Sequence, residues 1–491
     1  MAIQRGLINE NIEQFKVYLE KELGANSDLL IREFQLHNRV DLIIVYIDGI
    51  CDKQVIETSI IKPILEVCND SFYFNEPNRT TDLNKYLKDQ VLSASEVEIS
   101  STWDTILSSL VSGNTVIFFN KSSEVLVIGT KSIDSRSISE PTTQVLVRGP
   151  KDSFTEKIRT NTSLVRSRIQ HPSLRIEFSK LGERTQTDIA ILYIEDVVDA
   201  SILKKVKEKV KNIKIDGILE SRYIESFLED ETYSPFPRTF NTERPDVMAG
   251  NLLEGRIGIL VNGTPFGLIC PTLLMDHFKT AEDYYEKSDI SSFMRLLRIF
   301  SFIISLLTPG VYVALVTHHI GMIPTNLAVS IAAQREGVPF PTVVEIFLLE
   351  VTFEILREAG IRIPRASGQA ASIVGALIIG QGVVEAGFVS SVSTIIVALT
   401  AISSFAVPQY SIGATGRILR FVFLFMGAFI GLYGIMLSLF FIGFHIAKLN
   451  SFGVPYLLPV TPFNPAAQQD NFIRMPWRQM KRKNNKIRDE K

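Results

Sequence analysis

The stretch IFSFIISLLTPGVYVALVT (Ile299–Thr317) is apolar throughout and contains no charged residue. About 20 apolar residues span a hydrocarbon core of about 30 Å, so this stretch predicts a membrane-spanning helix. Pro309 and Gly310 are tolerated inside such a helix because neighbouring helices satisfy the freed backbone groups. Three further windows have the same character: Ala366–Val384, Phe388–Val407 and Phe421–Ala447. Together they predict an α-helical transmembrane bundle over residues 291–450.

The two ends of the chain predict the orientation of this bundle. The C-terminal stretch RMPWRQMKRKNNKIRDEK (Arg474–Lys491) is strongly basic, which places it in the cytoplasm by the positive-inside rule. The N-terminal stretch MAIQRGLINENIEQFKVYLEKEL lacks the apolar run of a signal peptide, so the first half is also expected there. The number of crossings is then even, and four satisfies this. Residues 451–491 are predicted to form a basic cytoplasmic tail.

One apolar segment, Pro339–Gly360, carries too many charges for an ordinary span. Its ionisable residues Glu350, Glu354, Arg357 and Glu358 share one helical face, and the segment also contains Glu345. Ionisable groups at membrane depth are costly and usually face protein or water. The segment could lie in the interface, re-enter the membrane or line an aqueous vestibule. A full crossing would change the predicted number of spans.

The first 290 residues are rich in charged side chains and contain two similar series of elements. The runs DLIIVYID (Asp41–Asp48) and DIAILYIE (Asp188–Glu195) are apolar, of strand length, and each leads into a helical pattern. Two predicted hairpins follow, TVIFFNKSSEVLVIG (Thr115–Gly129) and RIGILVNGTPFGLIC (Arg256–Cys270). We therefore predict an α/β soluble half of two similar lobes, residues 1–163 with the connector and residues 164–290. Coincidence is the alternative, since this order of elements is common.

The connector RGPKDSFTEKIRTNTSLVRSRI (Arg148–Ile169) is basic and helix-prone. A solvated helix face is the favoured interpretation of its Arg and Lys residues. The alternative is a surface that contacts an anionic partner or a phospholipid membrane.

The composition argues against several functional classes. The net charge of −2 creates no global field for nucleic acid. The three cysteines, Cys51, Cys68 and Cys270, are too few for a disulfide framework and are expected to be buried free thiols. Walker, GxSxG, HExxH and CxxC motifs are missing from the sequence, and the adjacent His318 and His319 do not face one way on a helix. The sequence therefore predicts no catalytic residues, metal site or cofactor, and a protein that is not an enzyme.

The window Ala366–Val384 combines small residues with a polar stripe. Its small-xxx-small pairs allow close helix packing, which is the simplest role of its glycines. Gln369, Gln381 and Glu385 lie on the same otherwise apolar helix, the last two sharing a face. Rings of such groups in an oligomer, with apolar constrictions at Val374 or Ile378, could select cations and gate by dewetting. Alternatively, the polar groups hydrogen-bond a partner helix.

The order of motifs resembles the GerA family of spore germination A subunits over nearly the whole chain. The basic connector carries part of this resemblance, and five further motifs carry the rest: FNTERPD (Phe240–Asp246), LLEGRIGILVNGTPFGLICP (Leu252–Pro271), RLLR (Arg295–Arg298), REAGIRIPRASGQ (Arg357–Gln369) and KLNSFGVPYLLPVTPF (Lys448–Phe463). Long, ordered matches of this kind are far more specific than a short glycine motif.

The resemblance implies a subunit of a three-part receptor in the inner membrane of endospores. Its partners would be a transporter-like B subunit and a lipoprotein C subunit, and it would act early in germination. It would transmit the nutrient signal as a homo-oligomer that forms a cation channel. A non-conducting scaffold for the receptor subunits is the alternative, and relatives that assist germination without their own nutrient-sensing partner belong to the same family. A solute carrier is weaker, because four spans show no internal repeat.

Overall fold

A computed structural model describes residues 8, 11–24, 26–36, 40–69, 80–132, 140–229, 231, 233–362, 378–463 and 467–479. Two compact units divide the chain. Of the described residues, the first unit contains those up to residue 231 and Thr239–Pro271, and the second contains Tyr233–Arg238 and those from Thr272 to residue 479. The first unit is built on β-sheets and the second on α-helices. The predicted class, an α/β half followed by a helical bundle, is confirmed.

The first unit contains two lobes that repeat one order of elements. The first lobe consists of α1 (Ile12–Leu23), β1 (Leu29–Leu36), β2 (Val40–Ile47), the helical stretches α2 (residues 53–69) and α3 (residues 80–91), β3 (Val97–Ser100), α4 (Trp103–Ser112), β4 (Thr115–Phe119) and β5 (Val125–Ile128). The second lobe consists of α5 (Ile158–Arg168), β6 (Leu174–Leu181), β7 (Thr187–Ile194), α6 (Ala200–Lys211), α7 (Ser221–Leu228), β8 (Phe240–Thr242), α8 (Pro245–Leu253), β9 (Ile257–Val261) and β10 (Gly267–Cys270).

The two sheets have the same topology. The strand order is β1-β2-β4-β5-β3 in the first lobe and β6-β7-β9-β10-β8 in the second, and all neighbouring strands are antiparallel. Corresponding helices also begin alike: Asp52 caps the N-terminus of α2 and Asp199 caps that of α6 through side-chain hydrogen bonds. The predicted duplication is therefore confirmed.

Continuous apolar runs form the central strands because both faces of each sheet are covered. Every residue of β4 and of β9 is buried. In the first lobe the ring of Phe15 on α1 stacks on Phe118 at 4.3 Å and on Trp103 at 4.7 Å. Such stacking adds to the burial of the rings themselves.

The connector helix α5 is solvated on only part of its surface: the basic residues Lys157 and Arg159 at its start are exposed, as predicted, whereas Arg166 is buried. Its polar residues Thr160, Asn161, Thr162, Ser163 and Arg166 are buried. Asn161 accepts a hydrogen bond from the Thr155 amide and Arg166 pairs with a carboxylate of the first lobe. These partners within the chain satisfy groups that the sequence pattern assigns to solvent. The helix runs across the predicted lobe boundary between residues 163 and 164.

Two of the cysteines are buried free thiols, as predicted. The Cys51 thiol donates a hydrogen bond to the Gly113 carbonyl, and Cys270 is completely buried in β10. Burial raises the pKa of the Cys51 thiol to about 11 and that of Cys270 to about 12. Both thiols are therefore protonated and weakly reactive at neutral pH. The side chain of Cys68 lies outside the described residues.

The second unit contains six principal helices among its described residues. They are α9 (Ser288–Thr317), α10 (Thr325–Arg335), α11 (Thr342–Arg362), α12 (Ser391–Phe405), α13 (Tyr410–Ile430) and α14 (Leu432–Lys448). Two of them, α9 and α13, are long and apolar enough to cross a membrane by length and composition. The helices α12 and α14 are apolar but shorter.

The predicted single span Phe421–Ala447 is wrong. It is divided between α13 and α14, which meet at Gly431, a residue with a φ of 72°. Thr415 near the start of α13 and His445 near the end of α14 both contact residues 234–235, so the two helices form an antiparallel hairpin. A positive φ favours glycine, which lets the chain reverse there.

Another predicted window, Ala366–Val384, is described only in part, because residues 366–377 lie outside the described part of the chain.

Helices α9 and α13 run in the same direction and pack closely. Gly310, beside Pro309 in α9, lies against the backbone of Phe423 and Gly427, with no room for a side chain. Eight residues before Gly310 in α9, the ring of Phe302 lies against Gly416 of α13. Small residues at such crossings allow two helix backbones to approach closely.

The segment after α14 is described over residues 449–463 and 467–479. It begins with a short antiparallel pair, Asn450–Ser451 with Val454–Pro455. The Ser451 hydroxyl donates to the Arg238 carbonyl, and the Leu274 amide donates to the Tyr456 carbonyl. The first part of the predicted tail 451–491 is thus packed within the second unit.

Candidate functional site

The charged face predicted on Pro339–Gly360 lies on α11, which packs between α9, α12 and α13. Glu350 is completely buried, and one of its oxygens is 2.7 Å from Nη1 of Arg420 on α13. The same guanidinium donates from Nε to the Ser305 carbonyl of α9 at 2.8 Å. One arginine therefore joins three helices. At 21 residues, α11 is about 30 Å long, enough to cross a hydrocarbon core.

A second carboxylate enlarges this pair into a network. Glu354 lies 3.3 Å from Arg357, 3.5 Å from Arg417 and 4.0 Å from Arg420. Arg357 also donates to the Ser404 hydroxyl of α12 at 2.8 Å. We call Glu350, Glu354, Arg357, Arg417 and Arg420 the charged cluster. It contains two carboxylates and three guanidinium groups, so it carries one excess positive charge.

The charged cluster includes three of the four residues predicted to share a face. Glu358 is the exception: its side chain is exposed and pairs with Arg362 at 2.6 Å. Sequence reasoning missed Arg417 and Arg420, because the hydropathy window begins after them. The sequence does contain a signal for them, since two arginines one turn apart lie in the first half of an otherwise apolar helix.

The predicted polar stripe is described only in part. Gln369 and Val374 lie outside the described residues, and for Ile378 only the main chain is described, in the π-helical turn Ile378–Gly382. Gln381 and Glu385 are exposed, and the Gln381 amide donates to the Glu385 carboxylate at 2.8 Å. The structure thus brings together two of the five candidate pore residues. Within the described ranges, no group of three His, Cys, Asp or Glu side chains could hold a metal ion.

Comparison with known proteins places the chain in a family. The family model described as "Bacillus/Clostridium GerA spore germination protein" matches residues 17–486. The chain belongs to the GerA family. It is 46% identical to spore germination protein KA of Bacillus subtilis (strain 168), over 96% of this chain and 86% of that protein. It is 38% identical to spore germination protein GerLA of Bacillus cereus, over 96% of this chain and 94% of that protein.

The chain is also similar to a solved structure. It is the crystal structure of the N-terminal domain of the A subunit of the Bacillus megaterium spore germinant receptor GerK3. The identity is 34%, the TM-score is 0.43, and the match covers 55% of this chain and 99% of that one. The predicted membership of the GerA family is confirmed by the family model and the relatives.

The GerA-like motif RLLR supplies a second ionic cluster. Arg295, completely buried, contacts Asp283 at 3.1 Å and Asp470 at 3.2 Å, and Arg298 pairs with the same Asp283. Arg474 donates to the Glu286 carbonyl at 2.8 Å. These contacts tie residues 470–474 to the start of α9, which explains both arginines of the motif as structural groups.

The motif FNTERPD also has a structural role in this GerA-family chain. Buried Glu243 accepts hydrogen bonds from the amide and the hydroxyl of Thr143, and Arg244 donates to the Pro150 carbonyl. Burial alone would raise the pKa of Glu243, but the hydrogen bonds from Thr143 outweigh it and hold the pKa below its ordinary value. The motif therefore holds the loop around residues 142–150 on the second lobe.

Proposed function

We propose that this GerA-family chain is the A subunit of a spore germinant receptor and acts early in germination. Support comes from relatives of nearly equal length that are named as spore germination proteins. A location in the spore inner membrane, with both termini on the cytoplasmic side, is part of the proposal. The apolar helices α9 and α13 and the basic end of the chain support it.

The mechanism we propose is an oligomeric cation channel. The observation that carries it is the exposed, hydrogen-bonded pair of Gln381 and Glu385 in an apolar part of the helical unit. A carboxylate at membrane depth is costly unless it faces water or protein. In a homo-oligomer, repeated Glu385 and Gln381 side chains would form a polar ring, and acidic rings favour cations. Apolar residues such as Val374 and Ile378 would supply the constriction.

The remaining subunits would complete the receptor. The resemblance to A subunits implies a transporter-like B subunit and a lipoprotein C subunit as partners. In this arrangement the charged cluster is a fixed part of the helical unit, because its groups are paired and mostly buried. The proposed conduction path is therefore separate from the cluster.

Potassium release from spores tests the channel with two variants. Glu385→Ala and Gln381→Ala are expected to change the rate or extent of release by about tenfold, because each removes half of the polar ring. Release is measured after nutrient addition, with protein level and receptor assembly checked by immunoblot and co-purification. Glu358→Ala is the matched control, because Glu358 is an exposed carboxylate of the same helical unit paired only with Arg362 among the described residues.

Unchanged release from both variants, with intact assembly, would contradict the channel through this segment. It would favour the alternative in which the chain is a non-conducting scaffold for the receptor subunits.

A further inference from the structure

Glu345 is a buried carboxylate that the charged cluster does not include. It lies one turn after the start of α11 and is completely buried. One oxygen accepts a hydrogen bond from the Ser390 amide, and the other lies 3.8 Å from Nε of Arg335 at the end of α10. The carboxylate therefore connects α10, α11 and the residue that caps α12.

The start of α12 is suited to hold this negative charge. Ser390 caps the helix, and its hydroxyl accepts a hydrogen bond from the Ser393 amide. Unpaired amides at a helix N-terminus carry a partial positive charge that stabilises an anion. Arg335 supplies a full positive charge from the other side, and its side chain is only 24% exposed. Glu345 is thus attached to the start of α12 by a hydrogen bond and to Arg335 by an ionic attraction.

Ser390 is also connected to the proposed ion path. Only residues 386–389 separate it from Glu385, and Val389 is buried. Val383, Val384 and Val389 pack in one apolar cluster with Ile346 and Leu349 of α11. The polar pair Gln381–Glu385 therefore rests on the same half of α11 that carries Glu345.

Gly387 marks a place where this connection can bend. Its φ is +72°, and an added side chain would meet no atom closer than 3.7 Å. A flexible residue between Glu385 and Ser390 means that the path of the chain depends on how both ends are held. The packed Val383 and Val384 hold one end, and Glu345 holds the other through Ser390, next to the buried Val389.

We infer that Glu345 is a positioning residue that sets the location of the Gln381–Glu385 pair through the start of α12. This role rests on the proposed function of that pair, which it extends to α10 and α11. A displacement of α10 or α11 would therefore be transmitted through this carboxylate to the Gln381–Glu385 pair. Glu345 itself does not line the path, since it is completely buried.

Cysteine accessibility in the full-length protein tests the role without requiring conduction. Gln381→Cys is combined with Glu345→Ala, with Glu345→Gln or with the control Glu358→Gln, and modification by a charged methanethiosulfonate reagent is timed. All variants are made in a Cys68→Ser background, and the remaining Cys51 and Cys270 are buried, so the added thiol dominates the signal after subtraction of the parent chain. Glu345→Ala is expected to change the rate at position 381 about threefold or more, the size of coupling that packed networks carry.

Two comparisons separate positioning from general loss of structure. Glu345→Gln keeps an oxygen that can accept from the Ser390 amide but loses the attraction to Arg335, so its effect is expected to be smaller. A second reporter, Phe463→Cys, lies at an exposed position of the same unit and is expected to keep its rate in every variant.

An unchanged rate at position 381 in folded Glu345→Ala protein would overturn the inference. If that variant does not fold, an unchanged rate in Glu345→Gln overturns it instead. Equal changes at positions 381 and 463 would also overturn it, because they would indicate a general loosening. Loss of potassium conduction bears only on the proposed channel, so failure of one proposal does not imply failure of the other.

Discussion

Replacing Arg420 with alanine is expected to destabilise the helical unit by about 3–5 kcal/mol, the range for removing one partner of a buried ion pair. The change leaves the completely buried Glu350 carboxylate without its 2.7 Å partner. It also removes the hydrogen bond that the guanidinium donates to Ser305 on α9. Most of the cost comes from the unpaired carboxylate rather than from the lost attraction.

Thermal unfolding of the full-length protein in detergent measures this effect. The double variant Arg420→Met with Glu350→Leu is expected to recover much of the lost stability, because apolar side chains of similar size replace both charges. Arg362→Ala is the matched control. Its exposed pair with Glu358 is expected to contribute about 0.2–1 kcal/mol. Equal effects of Arg420→Ala and Arg362→Ala would show that the charged cluster does not stabilise the helices.

Arg166→Ala is expected to destabilise the first unit by a similar amount, about 3–5 kcal/mol. Arg166 lies on α5 of the second lobe and is 1% exposed. It donates to Asp28, just before β1 of the first lobe, from Nε at 2.8 Å and from Nη2 at 3.3 Å. Removal of the guanidinium leaves a buried carboxylate at the junction of the lobes, so the two lobes are expected to separate more readily.

Limited proteolysis and thermal unfolding of the full-length protein report on this junction. Faster cleavage between the lobes and a lower unfolding temperature are expected for Arg166→Ala. The control Arg184→Ala removes an exposed arginine that is 3.9 Å from Asp216, and it is expected to change neither readout. Wild-type cleavage in folded Arg166→Ala protein would mean that other contacts, such as those of Asn26 with β6, are sufficient.

The duplication in the first unit was predictable because apolar runs of strand length have few alternatives. The runs in β2 and β7 are buried on both faces, which gives an unmistakable pattern in the sequence. The sequence does not show strand order, since that depends on contacts between distant residues. The buried residues of the connector helix α5 were not predictable for the same reason. Arg166 and Asn161 meet their partners Asp28 and Thr155 only in the folded chain, so the sequence pattern assigns them to solvent.

Prediction was weaker in the helical unit because hydropathy averages over many residues. A single window covers α13 and α14, and only the backbone at Gly431 reveals the reversal. The window also begins after Arg417 and Arg420, the partners that make the acidic face of α11 tolerable inside a bundle, so both were missed. The shared face of Gln381 and Glu385 was predictable because it depends only on helical spacing.

Cation flux through the full-length chain, reconstituted in liposomes with its receptor partners, is the most direct test of the proposed channel. We expect potassium efflux upon addition of the nutrient, and a strong reduction or change of selectivity in Glu385→Ala. The Glu358→Ala chain should conduct like the wild type. Liposomes that stay impermeable to potassium under activating conditions, while containing the assembled receptor, would contradict the channel and leave the scaffold as the better description.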